Sequence, residues 1–212
     1  MKTRLLDVQQ GSGDWLAARV GRVTSSRLKD VCNFRKDGKS SADREKYLLE
    51  IVTERLTGQP VPHFVNSAMQ HGTDNEPVAR LDYAWTRQVQ VEETGIWVAD
   101  DLPFGGSPDG LIGDGDGIIE VKCPWNSCVH VETLLNGMPD EHKYQIQGNL
   151  LATGRIYCDF ISYDPRMVDG LKLYVQRVRR DDDMIKTIVE QTEKFLAEVE
   201  ALLIKLRELK NV

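Results

Sequence analysis

The sequence predicts an α+β domain of sandwich-like build, with a central mixed sheet flanked by helices. Three observations predict it. Short β-branched runs recur between residues 88 and 178, each bounded by Gly, Asp or Pro. Longer stretches around them repeat apolar residues at three and four, the period of a helix. The last of these, about 181–209, is one long amphipathic helix with Ile185, Ile188, Phe195, Val199 and Leu203 on its apolar side. At 212 residues the chain is expected to form a single domain, 1–212, long enough to bury a substantial core.

In chain order, Ser12 caps a helix that runs to Val20, with Trp15, Leu16 and Val20 as its stripe. Thr24-Ser25-Ser26 caps a second short helix through Val31. Hydroxyls and N–H groups at such a start can hold a phosphate, or can simply cap. Residues 33–43 read as a mobile loop. Arg44 to Thr57 is a helix ended by Gly58. Residues 67–86 read as helical but broken near Gly72, with Asp74 or Asn75 capping the second part, Pro77 in its first turn and Glu76 at its start. Gln88–Glu92, Gly95–Ala99, 103–111 and 118–123 are expected to pair as an antiparallel core. Asp140–Gly154 is a helix with Tyr144 and Gln147 near one side. Arg155–Tyr163 and Leu171–Val178 supply further strands, whose uneven alternation fits a sheet covered by helices.

The densest chemistry lies at 105–122. Asp-Gly repeats at Asp114 to Gly117 make a tight turn, and Ile118 to Lys122 forms the returning arm. Alternation puts Glu120 and Lys122 on one face and Val121 on the other. Folding back over the turn can bring Asp109 beside Glu120. Two carboxylates and an amine in that grouping point to metal-dependent phosphodiester hydrolysis, because hard divalent cations take carboxylate oxygens and substrate phosphate. Lys122 would orient or deprotonate the water, with cationic and buried surroundings lowering its pKa. A calcium loop starting at Asp109 is excluded, since Leu111 and Gly113 offer no side-chain oxygen and Asp114 stands where the loop needs glycine. By pattern alone, a solvated hairpin with a surface Glu/Lys pair competes on equal terms.

Composition is that of an ordinary soluble chain, 41% hydrophobic and 28% charged, with no apolar run long enough for a membrane and no secretion-type leader at the start. Cys32, Cys123, Cys128 and Cys158 form no Cys-x-x-Cys pair, so neither a zinc site nor an iron–sulfur cluster is expected. The net charge of −6 argues against a general nucleic-acid binder, yet Arg19 to Lys46 holds nine basic against four acidic side chains. A local positive field is what an approaching phosphate meets.

The segments Asp14-Trp15, Arg19-x-Gly-x-x-Thr-x-Ser26, Gly72-x-x-x-Glu76, Ser107-Pro-Asp109-Gly-Leu, Glu120-Val-Lys122-Cys-Pro, Tyr144-x-x-Gln147-x-Asn149 and Tyr163-Asp-Pro-Arg-Met occur in this order. Together they resemble the bacteriophage λ exonuclease family, the viral-recombinase or alkaline exonucleases among the restriction-endonuclease-like nucleases. The resemblance covers nearly the whole chain and implies a restriction-endonuclease-like core.

It also implies roles. Asp109, Glu120 and the backbone carbonyl of Val121 resemble ligands for Mg²⁺, two ions per site, with Mn²⁺ able to substitute. Lys122 resembles the residue acting on the water, Glu76 the helix carboxylate, and Tyr144 and Gln147 the supporting residues of the following helix. Arg19 resembles the arginine near the scissile phosphate, and Ser26 and Ser107 the terminal 5′-phosphate pocket, with Arg35 or Lys36 as a further phosphate contact. The implied activity is 5′-to-3′ degradation of one strand of linear duplex DNA, leaving a 3′ single-stranded tail for recombination. A homotrimer, a phage single-strand-annealing partner, no membrane association and the cytoplasm of a bacterial host, from a phage or prophage gene, are implied with it. An endonuclease of the same fold and a non-catalytic DNA-end-binding module are the competing readings.

Overall fold

A computed structural model of the chain describes residues 1–62 and 66–209. Among them are nine strands: β1 Thr3–Leu6, β2 Val23–Thr24, β3 Val91–Glu92, β4 Ile96–Ala99, β5 Phe104–Gly106, β6 Gly110–Ile112, β7 Gly117–Lys122, β8 Tyr157–Tyr163 and β9 Leu173–Arg179. The seven α-helices are α1 Gly13–Arg19, α2 Leu28–Val31, α3 Ala42–Thr57, α4 Ser67–Arg87, α5 Ser127–Asn136, α6 Lys143–Thr153 and α7 Asp182–Glu208. None of these helices is long and apolar enough to cross a membrane.

The expected antiparallel core divides into two sheets. The run 103–111 is not one strand, because it breaks at Ser107-Pro108-Asp109, and its halves join different sheets. β5 enters a four-stranded sheet ordered β1-β4-β5-β2, and β6 a five-stranded sheet ordered β3-β6-β7-β8-β9. The larger sheet is mixed, with β7 and β8 parallel and the other pairs antiparallel. A parallel pair needs a long crossover, supplied here by α5 and α6. All seven residues of β8 are buried, so both faces of the sheet are covered, as a restriction-endonuclease-like core requires.

The predicted helices stand with local revisions. Ser12, Ser41, Asn66 and Asp181 cap α1, α3, α4 and α7 through their side chains. α4 is continuous through Gly72, and Asp74 and Asn75 lie inside it rather than capping a second part. Thr24 makes no side-chain cap, and Ser25–Arg27 form a 3₁₀ turn before α2. The stripe assigned to α1 does not enter the core, since no residue of that helix is buried. α7 buries Ile188, Phe195, Leu196, Val199 and Leu203 in a cluster that includes Tyr47 and Ile51 of α3. Arg44, buried on α3, ties the two helices through both oxygens of Glu198, at 2.8 and 2.7 Å. Beyond Leu203 the apolar side is exposed, at Leu206 and Leu209.

Candidate active site

The hairpin that carries the carboxylates is fixed at its tip and its base. At the tip, Asp114 Oδ1 accepts the N–H groups of Asp116 and Gly117 at 2.9 and 3.0 Å, and Tyr157 donates its hydroxyl to the other oxygen. At the base, Asp109 donates its N–H to Ile119 O at 3.1 Å, and Asp109 Oδ2 accepts the Val121 N–H at 2.6 Å. The side chain of Asp109 is thereby laid against β7, beside Glu120 and Lys122.

Glu120 is fully buried. Its Oε1 accepts Lys122 Nζ at 2.5 Å and its Oε2 accepts Asn149 Nδ2 at 3.0 Å. Lys122 Nζ also reaches Gln145 Oε1 at 3.4 Å. Glu76, half-buried on α4, accepts Arg80 Nη2 at 3.3 Å, while Arg80 Nη1 donates to the backbone oxygen of Asp109 at 3.0 Å. Three carboxylates therefore sit at one end of the sheet with Lys122 and Arg80.

The charges show how crowded this is. Burial pushes the Glu120 carboxyl up to about 7, and the neighbouring Asp109 adds to the effect. The same two causes push Glu76 up to about 7. Burial also raises Asp109, against the pull of Lys122. Burial alone would lower the Lys122 ammonium, but Glu120 and Asp109 outweigh it and hold the group above its ordinary value. On the protein's own charges alone, Lys122 does not show the lowered pKa expected of it: Glu120, Asp109 and Glu76 hold the ammonium charged, in which form it can orient a water or steady an anion.

A cavity of about 160 Å³ opens beside the cluster, lined by Trp15, Arg19, Ser26, Ser107, Asp109 and Gln145 among others. Trp15 donates its indole N–H to Ser107 Oγ at 2.9 Å, and Arg19 lies over the Trp15 ring, 4.1 Å from its centroid. Arg19 makes only long contacts, 3.4 Å, to Thr24 Oγ1 and Ser26 Oγ. Burial lowers its pKa, and among the described residues it forms no ion pair. A desolvated guanidinium flanked by hydroxyls, with no carboxylate of its own, is suited to an incoming phosphate.

The structure thus gathers Glu76, Asp109, Glu120 and Lys122 in one cluster and Arg19, Ser26 and Ser107 in the adjoining cavity. Four predicted residues lie elsewhere. Gln147 Nε2 donates to Arg179 O and its Oε1 accepts the Asp181 N–H, both at 2.9 Å, so it joins β9 to α7. Tyr144 packs against the apolar cluster of α3 and α7. Residues 145 and 149, one turn apart, face the carboxylates instead, because i and i+4 share a helix face that i−1 and i+2 do not. That spacing is present in the sequence as Gln-x-x-x-Asn. Arg35 and Lys36 sit in an exposed turn closed by the Phe34–Ser40 bridge, where Arg35 pairs with Asp37 at 3.5 Å. Arg80 was not foreseen either; its i, i+4 relation to Glu76 is the signal that carries it.

Among the described residues no three His, Cys, Asp or Glu side chains converge closely enough to hold a metal. The donors nevertheless fit a hard divalent cation. Carboxylates driven toward neutrality by burial and then by one another are what added positive charge would relieve, and Glu120 need only exchange Lys122 to present an oxygen.

A family model described as a YqaJ-like viral recombinase domain matches residues 14–156. The alkaline exonuclease LHK-Exo from Laribacter hongkongensis superposes with a TM-score of 0.85 at 40% identity, over 94% of this chain and 98% of that one. Its complex with dAMP gives 0.86 at the same identity and coverage. A phage related exonuclease from Haemophilus somnus 129PT shares the fold, with a TM-score of 0.72 at 18% identity, over 87% of this chain and 96% of its own. Uncharacterized protein R354 of Acanthamoeba polyphaga mimivirus is 24% identical over 166 residues; the match spans 72% of this chain but 29% of that longer protein.

Proposed function

The chain belongs to the family of YqaJ-like viral recombinase domains, and from that premise we propose that it is a Mg²⁺-dependent exodeoxyribonuclease. It hydrolyses one strand of linear duplex DNA from the 5′ end and leaves a 3′ single-stranded tail. The observation that carries this reading is the adjacency of two things: a crowded carboxylate cluster at Asp109 and Glu120, and a cavity holding the unpaired Arg19.

In this reading Asp109, Glu120 and the Val121 carbonyl would hold Mg²⁺, two ions per site, with Mn²⁺ able to replace it. The cation supplies charge for the phosphoryl oxygens and makes water more acidic. Lys122, kept cationic, orients the attacking water, and Gln145 steadies its ammonium. Arg19, Ser26 and Ser107 take the terminal 5′-phosphate and so fix which bond is reached, by position rather than by base. Water adds to phosphorus, the bond to the 3′-oxygen breaks, and a 5′-mononucleotide leaves. Arg35 and Lys36 meet the strand farther from the cut. The same reading proposes a single nuclease domain, a homotrimer around the DNA, a phage annealing protein as partner, and the cytoplasm of a bacterial host as its place of action.

The test is linear duplex DNA labelled separately at each strand end, incubated with Mg²⁺ as 5′-phosphate and 5′-hydroxyl forms beside a closed circle. Early release of the 5′ label, a strong preference for phosphate and an intact circle are expected. Cutting of the circle would replace this reading with an endonuclease. Binding of ends with no cleavage in Mg²⁺ or Mn²⁺ would leave only an end-binding module.

A further inference from the structure

Asn149 is fully buried, yet it lies between the two halves of the site. Its Nδ2 donates to Glu120 Oε2 at 3.0 Å, while its Oδ1 is buried and has no donor among the described residues. Turning the amide over would satisfy nothing, because Oδ1 would then face a carboxylate oxygen. Glu120 alone therefore sets the orientation of the group. A buried carbonyl oxygen left without a partner costs stability; a leucine of similar size would remove that cost but leave Glu120 Oε2 without its Asn149 donor.

Two glycines exist to bring this amide where it is. A Cβ on Gly148 would come within 2.3 Å of Leu28 Cδ1 and 2.9 Å of Ser25 Oγ, so its absence lets α6 press onto the Ser25 turn. A Cβ on Gly106 would come within 2.8 Å of Asn149 Oδ1 and 2.6 Å of Ser25 Oγ. The bare backbone of β5 thus forms a cradle around the free oxygen. The packing of both sheets and α6 is arranged around a polar side chain that the core does not need.

We infer that Asn149 is a positioning residue of this site: it pins one oxygen of Glu120, so that the carboxylate keeps its plane when Lys122 releases the other oxygen to a divalent cation. The inference rests on the nuclease reading of the cluster. A neighbour that fixes a ligating carboxylate sets the affinity of the metal by about ten- to a hundredfold.

The experiment is Mn²⁺ binding by calorimetry to the full chain and to Asn149→Leu and Asn149→Ser, with melting in EDTA measured alongside. Expected is an affinity for Mn²⁺ at least about tenfold lower in both variants, whatever fall in melting the loss of the Asn149–Glu120 bond brings in EDTA. Parent-like Mn²⁺ affinity in either folded variant overturns the assignment, and so does a fall in melting temperature as the sole effect of Asn149→Leu. Should Asn149→Leu fail to fold, Asn149→Ser decides. If the parent itself neither binds Mn²⁺ nor shortens linear duplex, the nuclease reading has failed and takes this assignment with it. A parent that does both isolates the role of Asn149.

Discussion

Replacing Glu120 by glutamine should stabilise the metal-free protein at neutral pH while abolishing its activity. In the folded chain the Glu120 carboxyl titrates near 7, against an ordinary 4.5, first because it is buried and then because Asp109 lies beside it. The folded state thus holds the proton across a window in which the unfolded state has lost it, so stability falls as pH rises from about 4.5 to 7. At about 1.4 kcal/mol per pH unit, the span corresponds to roughly 3 kcal/mol, an upper figure since Glu76 and Asp109 share the proton. Glutamine imitates the protonated form. The difference in unfolding free energy between Glu120→Gln and the parent should be small at pH 4.5 and grow toward roughly 3 kcal/mol in favour of the variant at pH 8. Taking the difference also removes His142, which burial pushes down to about 4 and whose contribution runs the other way, lost as pH falls. The assay is urea denaturation in EDTA at half-unit steps of pH. Saturating Mg²⁺ should reverse the order, because only the parent gains stability from the ion. A variant less stable than the parent at pH 8 in EDTA, or a difference that does not change with pH, would refute the crowding argument.

Three more outcomes follow from the same geometry. Lys122→Ala should lower turnover on the order of a hundredfold with little change in the affinity for duplex ends; single-turnover rates set beside end binding in EDTA check both. Glu198→Ala, although Glu198 looks exposed, strands the buried Arg44 guanidinium and should cost about 3 kcal/mol in urea denaturation, where a loss under about 0.5 would contradict the pairing. Gly148→Ala drives a methyl into Leu28 and Ser25, so it should cost about 1–3 kcal/mol and also narrow the preference for 5′-phosphate over 5′-hydroxyl ends, read as a ratio of rates.

The parts legible in the sequence are those whose signal is local. The caps at Ser12 and Gly58, the stripe of α7 and the alternation of Glu120, Val121 and Lys122 each depend on near neighbours, and each is where it was expected. What was not legible depends on distant partners. Nothing local distinguishes β5 from β6, because the separation between them is made by the sheets each one joins. α5 was not foreseen because its apolar residues Val129, Val131 and Leu135 are exposed, while the residues it buries are His130 and Thr133. α6 is covered on so many sides that Ile146, Gln147, Gly148, Asn149 and Leu150 are all buried, so no stripe tells which polar residue faces the carboxylates. The resemblance supplied Gln147 for that role, and the turn of the helix gives it to Gln145 and Asn149. The charge of Lys122 depends on distant partners too: Glu120 is two residues away, but Asp109 and Glu76 reach it only through the fold.

The break between β5 and β6 has a metrical consequence. Ser107 lines the cavity from the end of one sheet, and Asp109 joins the carboxylates at the start of the other. Only Pro108 stands between them, buried and with its φ locked. Two steps of extended chain span at most about 7 Å. On the proposed reading, the grip on a terminal phosphate and the point of scission are the two marks of a covalent ruler, fixed by the backbone between them. Lengthening it by one residue would leave both marks intact and change the size of the piece cut off.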